Sequence, residues 1–84
     1  MSALTIGNHL RRMRFANREM TQAHLASIVG VTRQTIVALE TGRYAPSLEL
    51  AMKLAATFGS SLDDLFFWQD PATAVEFRNK GLEP

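Results

Sequence analysis

Apolar residues recur at helical spacing along most of the chain. Ile6, Leu10 and Met13 stand four and three apart, the repeat of one helix face. This predicts a first helix beginning near Thr5 or Asn8, and either side chain suits the cap. Asn17-Arg18-Glu19-Met20 breaks the repeat and reads as a connector, with Asn17 the residue suited to a left-handed backbone. Thr21 precedes Gln22-Ala23-His24 and caps a short second helix whose apolar face is Leu25, Ala26 and Val29. Gly30 ends that helix, because glycine accepts the left-handed conformation of a helix C-terminus. Only Val31 separates Gly30 from the next cap, Thr32.

A third helix is predicted from Arg33 to about Thr41, with Ile36, Leu39 and Glu40 facing inward. Gly42 stops it and Pro46 prevents a restart. Ser47 caps a fourth helix with Leu48 and Glu49 in its first turn and Leu50, Ala51, Leu54, Ala55 and Phe58 on its apolar side; Gly59 ends it. Ser61 caps a fifth, whose apolar residues are Leu62, Leu65 and Phe66. Asp63 and Asp64 fall in its first turn, where the helix dipole favours negative charge. Met13, Met20 and Met52 read as core filler. No strand-like alternation appears before residue 70. The expected fold is therefore all-α: five helices over residues 1–67 and a short C-terminal tail over 68–84.

Two short helices joined through Gly30-Val31-Thr32 must cross steeply. Leu25, Val29, Val31, Ile36 and Leu39 then fill the angle, and small Ala26 sits where the helices come closest. The outer side of the third helix becomes Arg33, Gln34, Val37, Ala38 and Thr41. It has hydrogen-bonding groups at its N-terminal end, small apolar groups behind, and no acid. Such a face suits the major groove of DNA, where Arg pairs with guanine, Gln with adenine, and a methyl group meets thymine.

Charge sharpens this picture once it is divided along the chain. The net charge is only +1, but residues 1–46 carry six Arg against Glu19 and Glu40, and residues 47–84 carry three cations against six acids. A basic front half and an acidic back half are expected where one face meets phosphate and another does not.

The run from Gln22 to Thr41 resembles the helix-turn-helix of the Cro/repressor, or XRE, regulators. The wider matches are Met20-Thr21-Gln22, Val31-Thr32-Arg33-Gln34-Thr35-Ile36, Leu39-Glu40-Thr41-Gly42-Arg43-Tyr44 and Pro46-Ser47-Leu48-Glu49-Leu50-Ala51. These are similar to the compact single-domain subgroup, and the likeness spans roughly residues 6 to 67. It implies a lambda-repressor-like domain that binds double-stranded DNA as a small prokaryotic transcriptional regulator, a repressor by expectation. Gln22, Arg33, Gln34 and Ala38 fall on the family's base-reading or base-flanking positions. Thr21, Thr32, Thr35, Arg43 and Tyr44 fall near its phosphate contacts. Arg14 and Glu40 match a pair that the family often buries between its first and third helices. The connector after Arg14 is one residue longer than in the phage repressors, and Arg18 stands where glycine is frequent.

Other chemistry finds little support. The chain has no cysteine, which excludes disulfides and thiolate ligands. His9 and His24 lack Cys or acidic companions at metal-ligand spacing, and no Ser/His/Asp set carries the turn that a nucleophile needs. No metal, cofactor, small-molecule effector or enzymatic activity is expected. No apolar run is long enough for a membrane span. Met1 to Leu10 lacks the pattern of a leader, so a cytoplasmic location is the default. A protein-interaction module, or an antitoxin-like component using the same fold, is the alternative function.

A single module reads few base pairs, so a homodimer on a palindromic operator is expected. Its seam is assigned to Leu65, Phe66, Phe67 and Trp68, an apolar run that one helix face cannot bury. Val75-Glu76-Phe77 alternates like a strand, and the tail is a candidate arm crossing to the partner. The other reading is that Phe66 and Trp68 close the monomer's own core and the tail frays.

Overall fold

A computed structural model describes residues 5–83. The first four residues of the Met1 to Leu10 segment read as lacking a leader pattern, and the last residue of the tail, lie outside the described residues. The element order is β1 (Ile6–Asn8), α1 (Leu10–Ala16), α2 (Gln22–Val29), α3 (Arg33–Glu40), α4 (Leu48–Thr57), α5 (Leu62–Leu65), β2 (Phe66–Trp68) and α6 (Ala72–Leu82). The fold is mostly α, but not all-α, and the tail forms a sixth helix.

The polar caps behave as their chemistry requires. The hydroxyls of Thr21, Thr32, Ser47 and Ser61 accept from the backbone N–H of His24, Thr35, Leu50 and Asp64 at 3.0 to 3.2 Å. Each satisfies one of the donors that a helix start leaves open. Gly30, Gly42 and Gly59 all take positive φ just past the ends of α2, α3 and α4. Helices α2 and α3 pack on one another and α2 also packs on α4. Their apolar stripes meet in one core built from Leu10, Met20, Leu25, Ala26, Val29, Ile36, Leu39, Leu50, Leu54, Ala55 and Leu65.

The departures from expectation lie at the two ends and in one connector. Ile6 belongs to a strand, and α1 starts only at Leu10. Asn8 is not a conventional cap: its Oδ1 accepts from Leu10 N–H at 3.1 Å while its Nδ2 donates to the Leu39 carbonyl at 2.9 Å. One amide thus ties β1 to the end of α3. Phe66 leaves the fifth helix, which is four residues long, and opens β2. The strands pair antiparallel in the register Ile6↔Trp68, Gly7↔Phe67 and Asn8↔Phe66. Aromatic residues favour extended backbone, and Ile6-Gly7-Asn8 offers the partner edge, a pairing between distant segments that alternation within either one cannot reveal.

In the tail, Val75-Glu76-Phe77 is helical rather than strand-like. Three alternating residues are outweighed by the helix formers around them, Ala72, Ala74, Arg78 and Lys80, and by Glu76 within the triplet, with Pro71 suited to a helix start. In the connector after α1, Asn17 keeps φ at −100°. Arg18 and Glu19 take the left-handed backbone instead, at φ 57° and 52°. The turn is held by bonds from Glu19 N–H to the Phe15 carbonyl and from Met20 N–H to the Arg14 carbonyl. Met52 is exposed on the outer side of α4 rather than in the core.

Candidate nucleic-acid interface

The interface is built on α3, and its orientation is set from behind. Ile36 and Leu39 are fully buried. At about 100° of rotation per residue, this turns Arg33, Gln34, Val37, Ala38 and Thr41 to the opposite side. Arg33, Gln34 and Thr41 are exposed, and Val37 and Ala38 half-exposed. No acid lies on this stripe. The Thr32 and Thr35 hydroxyls bond one another at 3.1 Å, which stiffens the first turn of α3 at the end that carries Arg33 and Gln34.

A buried ion pair fixes α3 against α1. Arg14 donates from Nε to Glu40 Oε2 at 2.6 Å and from Nη2 to Oε1 at 2.9 Å, with both side chains under a tenth exposed. Its Nη1 donates to the Met20 carbonyl at 2.8 Å. Arg14 therefore bonds Met20 through both its side chain and its carbonyl, which clamps the connector between α1 and α2. Gln22 joins the same network, its Nε2 donating to Glu40 Oε1 at 3.2 Å. The amide assigned to the base-reading set is thus anchored to the last residue of α3.

The start of α2 and the start of α3 meet on one surface. Arg11, Phe15, Thr21, Gln22, Arg33 and Thr41 line a single shallow recess there, together with the Arg14–Glu40 pair. Arg11 and Phe15 are additions to the expected set. The Arg11 guanidinium lies 5.5 Å from the centre of the Phe15 ring, and Phe15 is half-exposed. The signal for Arg11 was present in the sequence, one turn before Arg14 on the same helix. Arg43 and Tyr44 are both exposed in the turn after α3, where Arg43 N–H donates to the Ala38 carbonyl at 2.9 Å.

The four residues assigned to a seam part company. Leu65 has no exposed surface and belongs to the protomer's own core, which removes it from any seam. The apolar run need not be buried by one helix face, because the helix ends at Leu65 and the chain turns extended at Phe66. Phe66 is half-buried against that core. Phe67 and Trp68 remain more than a third exposed. Phe67 lies over Gly7, where an added Cβ would come within 2.6 Å of its ring, and its ring centre is 4.6 Å from that of His9. Among the described residues, no group of three or more His, Cys, Asp or Glu is placed to hold a metal. None of the helices there is long and apolar enough to cross a membrane.

A family model described as helix-turn-helix matches residues 10–65. This chain belongs to the XRE-type helix-turn-helix family. An uncharacterized HTH-type transcriptional regulator of Methanocaldococcus jannaschii is 49% identical over 55 residues, covering 66% of this chain and 83% of that protein. The HTH-type regulator YgzD of Bacillus subtilis is 44% identical over 50 residues, covering 60% of this chain and 76% of its own length. Among solved structures, a hypothetical transcription factor from Neisseria superposes with a TM-score of 0.61 at 26% identity, covering 82% of this chain and 76% of that one. A transcriptional regulator from Listeria innocua shares the fold with a TM-score of 0.59 at 17% identity, over 93% of this chain and 80% of that one. The family match stops at Leu65, so β2 and α6 of this helix-turn-helix protein lie beyond it.

Proposed function

We propose that this chain is a sequence-specific repressor that binds double-stranded DNA as a homodimer, with α3 in the major groove of each half of a palindromic operator. The coarser statement, DNA-binding transcription regulation, goes with membership of the family. The observation that carries the finer reading is the acid-free outer stripe of α3, with Arg33 and Gln34 exposed at its N-terminal end. In the major groove, Arg33 suits the two acceptors of guanine, Gln34 the donor and acceptor of adenine, and the Ala38 methyl the methyl of thymine. Gln22 flanks this set from α2.

Thr21, Thr32, Thr35, Arg43 and Tyr44, with Arg11 added, form a polar and basic rim on both sides of α3. Contacts of this kind to phosphate fix register and orientation but carry no sequence information. One α3 reads only a few base pairs, and two of them about 34 Å apart match successive turns of the duplex. Such a regulator works in the cytoplasm, on the nucleoid, and needs no cofactor for this task.

Selection of bound sites from random duplexes, followed by mobility shift on the enriched sequence, tests the reading. An inverted repeat bound far more tightly than scrambled DNA is the expected result. Binding that ignores sequence, or enrichment of nothing over the input, would contradict it.

A further inference from the structure

Helix α6 is eleven residues long, is held at its start by Asp70 Oδ1 accepting from Ala72 N–H at 3.0 Å, and buries none of its residues. A helix of that length is marginal on its own in water. One side touches its own chain at a single ring: Phe77 stacks on Trp68 with ring centres 6.3 Å apart and stays as exposed as Val75. Another side does not. Val75, Arg78 and Leu82 stand at i, i+3 and i+7, a single stripe, with Val75 58% and Leu82 70% exposed.

Beside β2 lies an open groove of about 430 Å³ whose apolar wall includes Ile6, Leu48, Leu62, Phe66 and Trp68. Its one charged lining residue is Asp63. Neither Asp63 nor Arg78 has an ion-pair partner among the described residues. The stripe and the groove are thus complementary in kind: two apolar side chains about a lone cation, and an apolar wall about a lone acid. Trp68 lines the groove and stacks on Phe77, so α6 stands beside the groove with its Val75–Arg78–Leu82 stripe turned to another side, and in a two-fold pair the contact of each stripe with the other copy's groove is made twice.

We propose that α6 of each protomer docks in the groove of a second copy of this chain, Val75 and Leu82 against its apolar wall and Arg78 against Asp63 of the second copy. The proposal rests on the reading of the chain as a dimeric DNA-binding regulator and names the surface that makes the dimer. It also gives the tail a role outside the matched helix-turn-helix family region.

Sedimentation equilibrium of the full chain without DNA tests it, using Asp63→Arg, Arg78→Asp, the double variant carrying both, and Leu82→Asp. All these positions are exposed, and circular dichroism melts check that each variant folds. The wild type is expected to be a dimer, with each single variant raising the dimer dissociation constant about tenfold or more and the charge-swapped double regaining most of the loss. Singles as tight as the wild type, a double no tighter than the singles, or a wild type that stays monomeric at tens of micromolar would each overturn the docking. Specific DNA binding by the wild type is measured separately. Its failure contradicts the functional reading, whereas a dimer insensitive to these substitutions contradicts only the docking.

Discussion

The Arg14 guanidinium and the Glu40 carboxylate meet side-on between α1 and α3, with Nε to Oε2 at 2.6 Å and Nη2 to Oε1 at 2.9 Å. Geometry this good offsets the desolvation of two buried charges; removal of one partner leaves the other without compensation. Glu40→Ala and Arg14→Ala are each expected to cost roughly 3–5 kcal/mol in urea denaturation. The double variant is expected to lose much less than the sum of the two. Additive losses would mean that the pair does not act as a unit.

Gln22 extends that pair toward the proposed DNA-facing surface through its bond to Glu40 Oε1. Gln22→Ala removes one hydrogen bond to a charged group, for which a loss of about 1.5–3 kcal/mol is the upper range, and its half-exposed position places the expected effect near the bottom of it. The larger effect belongs to DNA, where sequence preference at one flanking base pair is expected to relax. Selection profiles of wild type and variant check this, and identical profiles would assign Gln22 a structural role alone.

Gly7 and Phe67 face each other across the sheet, and the ring occupies the space that a Cβ at residue 7 would need. Glycine in a strand is ordinarily replaced with a gain. Here Gly7→Ala is expected to destabilise by about 1–2 kcal/mol, in the range for overpacking, because the ring must swing off its contact with His9. The same substitution in a Phe67→Ala background is expected to be neutral or favourable. Chemical denaturation of the four chains settles the matter, since an equal loss in both backgrounds would trace the cost to something other than the ring.

The central part of this fold was legible because local chemistry and packing agree there. Thr21, Thr32, Ser47 and Ser61, the residues predicted as caps, each accept from a backbone N–H in the first turn of their helix, and Gly30 turns left-handed where the helix must stop. The inward face of α3 was likewise readable from Ile36, Leu39 and Glu40, and the exposed outer side follows from it. The sheet was not legible, because Ile6-Gly7-Asn8 and Phe66-Phe67-Trp68 are three-residue strands that make sense only together, some sixty residues apart. The turn after α1 was misjudged at Asn17 because its intrinsic tolerance of left-handed backbone was weighed without Arg14. The Arg14 carbonyl and guanidinium both hold Met20, and they place the sharp bend one residue later, at Arg18 and Glu19.

Thr32 caps the helix that carries the interface, so its loss should be felt twice. Thr32→Ala is expected to cost about 1 kcal/mol of stability and also to weaken specific DNA binding, since its hydroxyl holds Thr35 and the first turn of α3. Thr32→Ser keeps the cap and is expected to retain most of both. Thermal melts and mobility shifts on the same samples compare the two, and a serine variant as impaired as alanine would point to the methyl group instead.

The most direct test of base reading by α3 compares Arg33→Ala with Arg43→Ala on a selected site and on random duplex, over a range of salt. Arg33→Ala is expected to lose about 1–3 kcal/mol on the selected site, with preference relaxed at one position and little change on random DNA. Arg43→Ala is expected to weaken both alike and to reduce the salt dependence by about one counterion. Equal losses for Arg33→Ala on selected and random DNA would contradict a base-reading role for the exposed face of α3.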